Sequence, residues 1–276
     1  MTPLRYALPA AALAGVLLGA CAVDDQQAVP ERPRELVWSD EFDGAAGTPP
    51  EASRWTYDIG TGQDGWGNAE FQYYTDRPEN VALDGGGNLV ITARREGFAG
   101  ADFTSARVKT EDLFERAYGR FEIRAKAPVG PGIWPALWLL GANCDEVVWP
   151  RCGEIDVMEL RGQRPNEIAG SLHGPGYSAG GAVTADYTLV DGRFDDGFRV
   201  FAVEWGRDYV EWYVDDFLYS RVTRDDVPGE WVYDHPFYLI MNVAVGGNFV
   251  GFPTDETPFP QSLTVDYVRV YALGED

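Results

Sequence analysis

An antiparallel β-sandwich or barrel is the fold class this sequence predicts, on three observations. Short runs rich in Val, Ile, Tyr, Phe and Trp recur from Leu36 onward, clusters of Gly, Pro, Asn and Asp separate them, and no long stretch sustains an apolar helical stripe. The 276 residues, 45% of them hydrophobic, suffice for one sizeable core, and no repeat or second domain is visible.

The expected strands, in order, are FQYY (71–74), NLVITAR (88–94), YGRFEIRA (118–125), IWPALWLL (133–140), EIDVMEL (154–160), FRVFAVEW (198–205), YVEWYV (209–214), FLYSRV (217–222), FYLIMNVAV (237–245) and LTVDYVRVYA (263–272). Asp215-Asp216 reads as a two-residue hairpin turn between two of them. GGG at 85–87, GPG at 130–132 and GG at 246–247 mark further loops.

In EIDVMEL the three acids are unevenly spaced. Strand side chains alternate with period two, so Glu154 and Asp156 share a face whereas Glu159 falls with Ile155 and Val157. A β-bulge around Val157 and Met158 resets the alternation and brings Glu159 onto the face of the other two. Three carboxyls on one face repel one another, and a purely structural strand gains nothing from them. The bland reading is an exposed acidic edge. The chemical reading is a nucleophile and a proton donor with an assisting acid between them.

The N-terminus has one early cation (Arg5), an apolar run from Ala7 to Leu18 and small residues before Cys21, the pattern of an export signal over residues 1–20. Leu18-Gly19-Ala20-Cys21 resembles the lipobox of bacterial lipoproteins, in which the cysteine is lipidated; an ordinary signal peptide is the alternative. Residues 21–34 are polar and proline-bearing, a tether ahead of a catalytic domain at 35–276. The membrane is then met only through the anchor. An exported protein can keep a disulfide, and Cys144 and Cys152 bracket a short loop ahead of Glu154; a bridge is expected there, with two free thiols as the alternative.

The formal net charge is −22, and removing residues 1–20 leaves 21 cations against 44 anions, or −23. That surface argues against nucleic acid and anionic polymers and suits a neutral ligand.

WPRCGEIDVMEL (149–160), preceded by GIWPALWLL and followed by SLHGPG, closely resembles glycoside hydrolase family 16, in particular its laminarinase-like bacterial endo-β-1,3-glucanases. WSDEFDG (38–44), WGNAEFQYYTDRPENV (66–81), GNLVITAR (87–94), MNVAVGGNF (241–249) and VDYVRVY (265–271) extend the resemblance over nearly all of residues 36–272. It implies a β-jelly roll of the concanavalin A-like kind, two curved antiparallel sheets with an open cleft on the concave face. It also implies a retaining glycosidase needing no cofactor for catalysis, with Glu154 the nucleophile, Asp156 the assisting carboxylate and Glu159 the general acid/base.

A glucan cleft needs aromatic platforms and polar forks. In IWPALWLL, Ile133, Leu137 and Leu139 alternate onto one face and Trp134 and Trp138 onto the other; with the leucines in the core, both tryptophans face the cleft, although packing aromatics in a two-sided buried strand would read the same. The resemblance places His173 in the cleft, Asn68 and Glu70 near the glycone subsites and Arg107 against the sugar. Ordinary structural roles are the alternative for each. His235 reads as structural, and Asn242 and Asn248 as cleft-rim residues. Many family members carry a structural calcium away from the chemistry, and Glu41 and Asp266 fall at matching ligand positions.

The resulting expectation is a monomeric, exported endo-β-1,3-glucanase acting on laminarin-like β-glucan. Mixed-linkage β-1,3-1,4-glucan or a galactan is the alternative substrate, and a non-catalytic β-glucan-recognition protein or a transglycosylase is the alternative function.

Overall fold

The computed structural model describes residues 34–274. The export signal, Cys21 and all of the tether but Arg34 lie outside the described residues. Arg34 itself opens a strand, Arg34–Asp40, pairing with Leu273 at the other end of the chain.

The described residues form two sheets facing each other across one core, as the sequence predicts. The seven-stranded sheet runs in the order Val183–Thr188, Glu167–His173, Glu154–Leu160, Ile133–Gly141, Phe237–Val245, Arg107–Lys109, Thr56–Asp58, with every neighbouring pair antiparallel. The ten-stranded sheet is built around Gly119–Lys126, Arg199–Trp205 and the long Gln261–Leu273 strand. Its one parallel pair among the described residues joins Gln72–Tyr74 to Ala101–Ser105.

All ten expected strands are present. Asp215 and Asp216 take φ of 49° and 63°, the left-handed conformation that a tight hairpin turn requires. The sequence reading missed Arg34–Asp40, Thr56–Asp58, Val81–Leu83, Ala101–Ser105, Arg107–Lys109, Glu167–His173 and Val183–Thr188. Four of these hold only three to five residues, too short to display a period, and pairing to longer neighbours holds them extended. Val183–Thr188 is polar because it sits at the sheet edge.

The strand of acids is held from both sides. Ile155, Val157, Met158 and Leu160 enter the core, each at most 1% exposed. Trp212 reaches across from the opposite sheet and donates its indole N–H to the Asp156 carbonyl at 2.8 Å. A bulge leaves part of its backbone without a ladder partner, and a buried carbonyl left bare costs about 1–3 kcal/mol. Trp212 supplies the missing donor. Gly170 makes this crossing possible, since a Cβ there would lie 2.5 Å from the Trp212 ring.

Candidate active site

Register shows how the acids come together. On the Ile133–Gly141 side, Glu154, Asp156 and Glu159 stand opposite Leu140, Trp138 and Ala136; on the Glu167–His173 side they stand opposite His173, Ser171 and Ala169. The partners step by two while the acids step by two and then three. The ladder shifts between Asp156 and Met158 on one side and between Asp156 and Glu159 on the other. Directly paired residues share a face. The expected bulge is therefore present and places all three acids on the face that carries Trp138.

Each acid has its own neighbours. Glu154 accepts a hydrogen bond from the Trp149 indole at 3.0 Å, and Glu159 accepts one from the Trp134 indole at 3.1 Å. His173 Nε2 lies 3.0 Å from Asp156 Oδ2 and 3.7 Å from Glu154 Oε1. Burial pushes Glu154 up to about 7, with the charge of Asp156 adding to it and His173 and the Trp149 bond opposing it. Burial likewise lifts Glu159 well above the usual carboxylate range, and there both Asp156 and Glu154 add repulsion. Burial and mutual repulsion thus favour one retained proton between the two glutamates, the state that a nucleophile and a proton donor together require.

His173 is subject to opposing demands. Burial works against its charged form, but the hydrogen bond to Asp156 and the three carboxylates outweigh it and push the imidazole up to about 9. Yet the Ala179 amide donates to Nδ1 at 3.1 Å, which requires that nitrogen's lone pair. A second proton would set two donors against each other. The Ala179 bond therefore keeps Nδ1 unprotonated and leaves the ring proton on Nε2, the nitrogen 3.0 Å from Asp156 Oδ2.

Trp134 and Trp138 lie on the face of the three acids, in a small cluster with Phe249 where Trp134 is buried and Trp138 half-buried, while Ile133, Leu137 and Leu139 join the main core. Trp138 donates to Asn242 Oδ1 at 2.8 Å, Asn242 donates to the Tyr74 hydroxyl at 3.1 Å, and that hydroxyl donates to Glu70 Oε2 at 3.2 Å. Gln72 donates to the same Glu70 oxygen at 2.6 Å. Burial raises the Glu70 carboxyl, against the pull of Gln72 and Arg107. Asn68 reaches Glu70 at 3.5 Å. Asn242 is thus buried under Trp138, a correction to its expected place on the rim, whereas Asn248 is exposed. Arg107 lies between the Trp66 and Trp138 rings, 4.8 and 4.7 Å from their centroids, and pairs with Asp58 at 2.8 Å. Its guanidinium stiffens the platform and keeps positive charge beside Glu70 and Glu154.

Sequence reasoning missed Trp149, Tyr74 and Gln72 as site residues. Trp149 stands in the quoted WPRCGEID run, within the loop that the Cys144–Cys152 disulfide closes. The expected bridge is made, and the loop it clasps delivers an indole to Glu154. His235 is structural, as expected, with its ring stacked on Phe237 at 4.8 Å. Glu41 accepts two hydrogen bonds from Arg269, at 2.9 and 2.8 Å, and Asp266 pairs with Arg124. A calcium ion at these two carboxylates would have to displace both guanidinium groups.

Residues 68–269, which contain every one of these cleft residues except Trp66 and Asp58, match the family model for glycosyl hydrolases family 16. The chain belongs to that family. It is 41% identical over 278 residues to a β-glucanase of Rhodothermus marinus, covering 95% of this chain and 94% of that one. Among solved structures it resembles the laminarinase catalytic domain of Thermotoga maritima (47% identity, TM-score 0.82, 88% of this chain and 99% of the other). It also resembles the endo-β-1,3-glucanase of Pyrococcus furiosus (42% identity, TM-score 0.85, 90% and 98%). Family 16 membership makes the chain a glycoside hydrolase and accords with the two-sheet fold and the bulged strand of acids.

Proposed function

We propose that this family 16 enzyme is a retaining endo-β-1,3-glucanase that hydrolyses laminarin-like β-glucans through a covalent glycosyl-enzyme. The observation that carries the reading is the bulge that gathers Glu154, Asp156 and Glu159 onto the face of two tryptophans, in buried surroundings that raise both glutamates.

Glu159, protonated, gives its proton to the leaving glycosidic oxygen as Glu154 forms a bond to the anomeric carbon and the C–O bond breaks. Glu159, now ionised, takes a proton from water as that water's oxygen displaces Glu154. Asp156, whose Oδ2 lies 3.0 Å from His173 Nε2, sits between the two glutamates in sequence, and its charge adds to burial in keeping Glu159 protonated. Trp138 and Trp134 offer flat apolar faces to the sugars, and the Glu70, Asn68 and Arg107 group holds that wall in place. No cofactor enters this chemistry.

The substrate preference rests on the named relatives, the β-glucanase of R. marinus and the two laminarinase-type structures. Product profiling tests it: the purified chain from residue 34 onward is incubated with laminarin, mixed-linkage glucan, agarose and carrageenan, with Glu154→Gln as control. Rapid release of short β-1,3-oligosaccharides from laminarin, abolished in the mutant, is the expected result. Binding without cleavage would make the chain a recognition protein, and cleavage of a galactan alone would move the substrate class. Export, the lipid anchor at Cys21 and the monomeric state are parts of the same proposal. So is calcium at Glu41 and Asp266, for which EDTA should lower the melting temperature with little direct loss of catalysis.

A further inference from the structure

The loop that leaves the cleft after the Phe237–Val245 strand carries aromatic residues well past the catalytic face. Phe249 lies 5.0 Å from Trp134, centroid to centroid, and the Arg161 guanidinium sits 3.9 Å over its ring. Gly246 and Gly247 then fasten this loop to the Asn68–Phe71 segment. A Cβ on Gly247 would come within 2.9 Å of the Asn68 carbonyl and 3.6 Å of Trp134, and one on Gly246 within 2.8 Å of the Phe71 ring. The Asn248 amide donates to the Asn68 carbonyl at 2.8 Å, and the Phe71 amide to the Val245 carbonyl at 2.9 Å. Cleft wall and outer loop are one hydrogen-bonded piece.

Just beyond it, Phe252 stacks on Phe71 with centroids 5.2 Å apart and planes at 18°, yet 71% of Phe252 is exposed. The pair walls a groove of about 590 Å³ floored by Phe103 and flanked by Arg95, Glu96 and Asp102. Arg95 is held in place, lying about 5 Å from both the Phe103 and Phe259 rings and donating to the Thr254 carbonyl at 3.2 Å. Arg95 and Glu96 also line a second groove of about 480 Å³, edged by Asp255, Thr257 and Phe259.

A flat, wet aromatic face beside a fixed guanidinium and carboxylates is suited to a pyranose: the ring's C–H face covers Phe252, and its hydroxyls meet the charged groups. None of the cleft residues already described lines this groove. Phe252 follows Phe249 by three residues, which span at most ~10 Å of chain. We propose that the Phe71–Phe252 groove is a distal subsite for the continuation of a long, neutral β-glucan chain already seated in the cleft. The proposal rests on the glucanase reading and adds to it a preference for polymer over short oligosaccharide.

The test compares kcat/KM on laminarin polymer and on a β-1,3-linked tetrasaccharide for wild type, Phe252→Ala and Phe252→Tyr, with melting temperatures to verify folding. The polymer-to-tetrasaccharide ratio should fall about threefold to tenfold in Phe252→Ala and recover in Phe252→Tyr. An unchanged ratio, or an equal fall on both substrates, overturns the proposal. A separate arm measures polymer binding by affinity electrophoresis in the Glu154→Gln background, with and without Phe252→Ala. If wild type cleaves no β-1,3-glucan, the glucanase reading fails by itself. Weaker polymer binding without Phe252 still supports the groove in that case, and unaltered binding removes it.

Discussion

Glu154 should make the native enzyme less stable than it could be, by an amount that depends on pH. Its carboxyl is only 17% exposed and is raised from 4.5 to about 7, first by burial and then by Asp156. A raised acid binds its proton more tightly in the folded chain than in the unfolded one, so stability falls as that proton leaves. The penalty is absent below about pH 4.5, grows between 4.5 and 7, and is complete above 7. At 1.36 kcal/mol per pH unit the gap corresponds to roughly 3 kcal/mol. Glu154→Gln cannot ionise, and its amide oxygen can still accept from Trp149. The variant should therefore be about 2–3 kcal/mol more stable than wild type at pH 8, or roughly 5–10 °C in melting temperature for a domain of this size. Guanidinium denaturation at pH 8 and pH 4 measures it, with the advantage expected to vanish at pH 4. Equal stability at pH 8, or an equal gain at both pH values, would refute the reasoning.

Three further outcomes follow from the same geometry. The pH dependence of kcat/KM should be bell-shaped: activity is lost on the acid side when both glutamates hold protons and on the alkaline side when neither does, with the limbs displaced upward because burial raises both carboxyls; a profile flat between pH 5 and 8 would contradict it. Trp149→Phe removes the donor on Glu154, so kcat/KM should drop roughly tenfold or more and the acid limb should move to higher pH; a drop without that movement would reduce Trp149 to packing. Trp212→Phe should cost about 1–3 kcal/mol by leaving the Asp156 carbonyl bare in the core, and urea denaturation alongside activity reads both the stability loss and any slackening of the bulge.

What could be read from the sequence was what repeats or alternates locally. EIDVMEL announced its bulge because three acids at uneven spacing make sense on one face only if a residue is inserted, and the register bears this out. YVEWYV, the Asp-Asp turn and FLYSRV were legible because period two and turn chemistry are both short-range. IWPALWLL assigned its faces correctly because Leu and Trp alternate. The chain from Trp138 through Asn242 and Tyr74 to Glu70 was not legible, since it joins segments far apart in sequence and depends on which strands become neighbours. That also explains Asn242, whose place beside a Gly-Gly loop suggested a rim when its strand runs buried beneath Trp138. Trp149 was hidden for another reason: a loop residue bears on Glu154 only once the disulfide has folded the loop back over it.

The measurement that goes most directly to the central claim is the anomeric configuration of the first product released from laminarin, followed by proton NMR before mutarotation. Attack by Glu154 and then by water inverts the anomeric carbon twice, so the account predicts that the β-anomer appears first and that Glu154→Gln releases none. An α-anomer appearing first would mean a single displacement by water, and Glu154 could not then be the nucleophile.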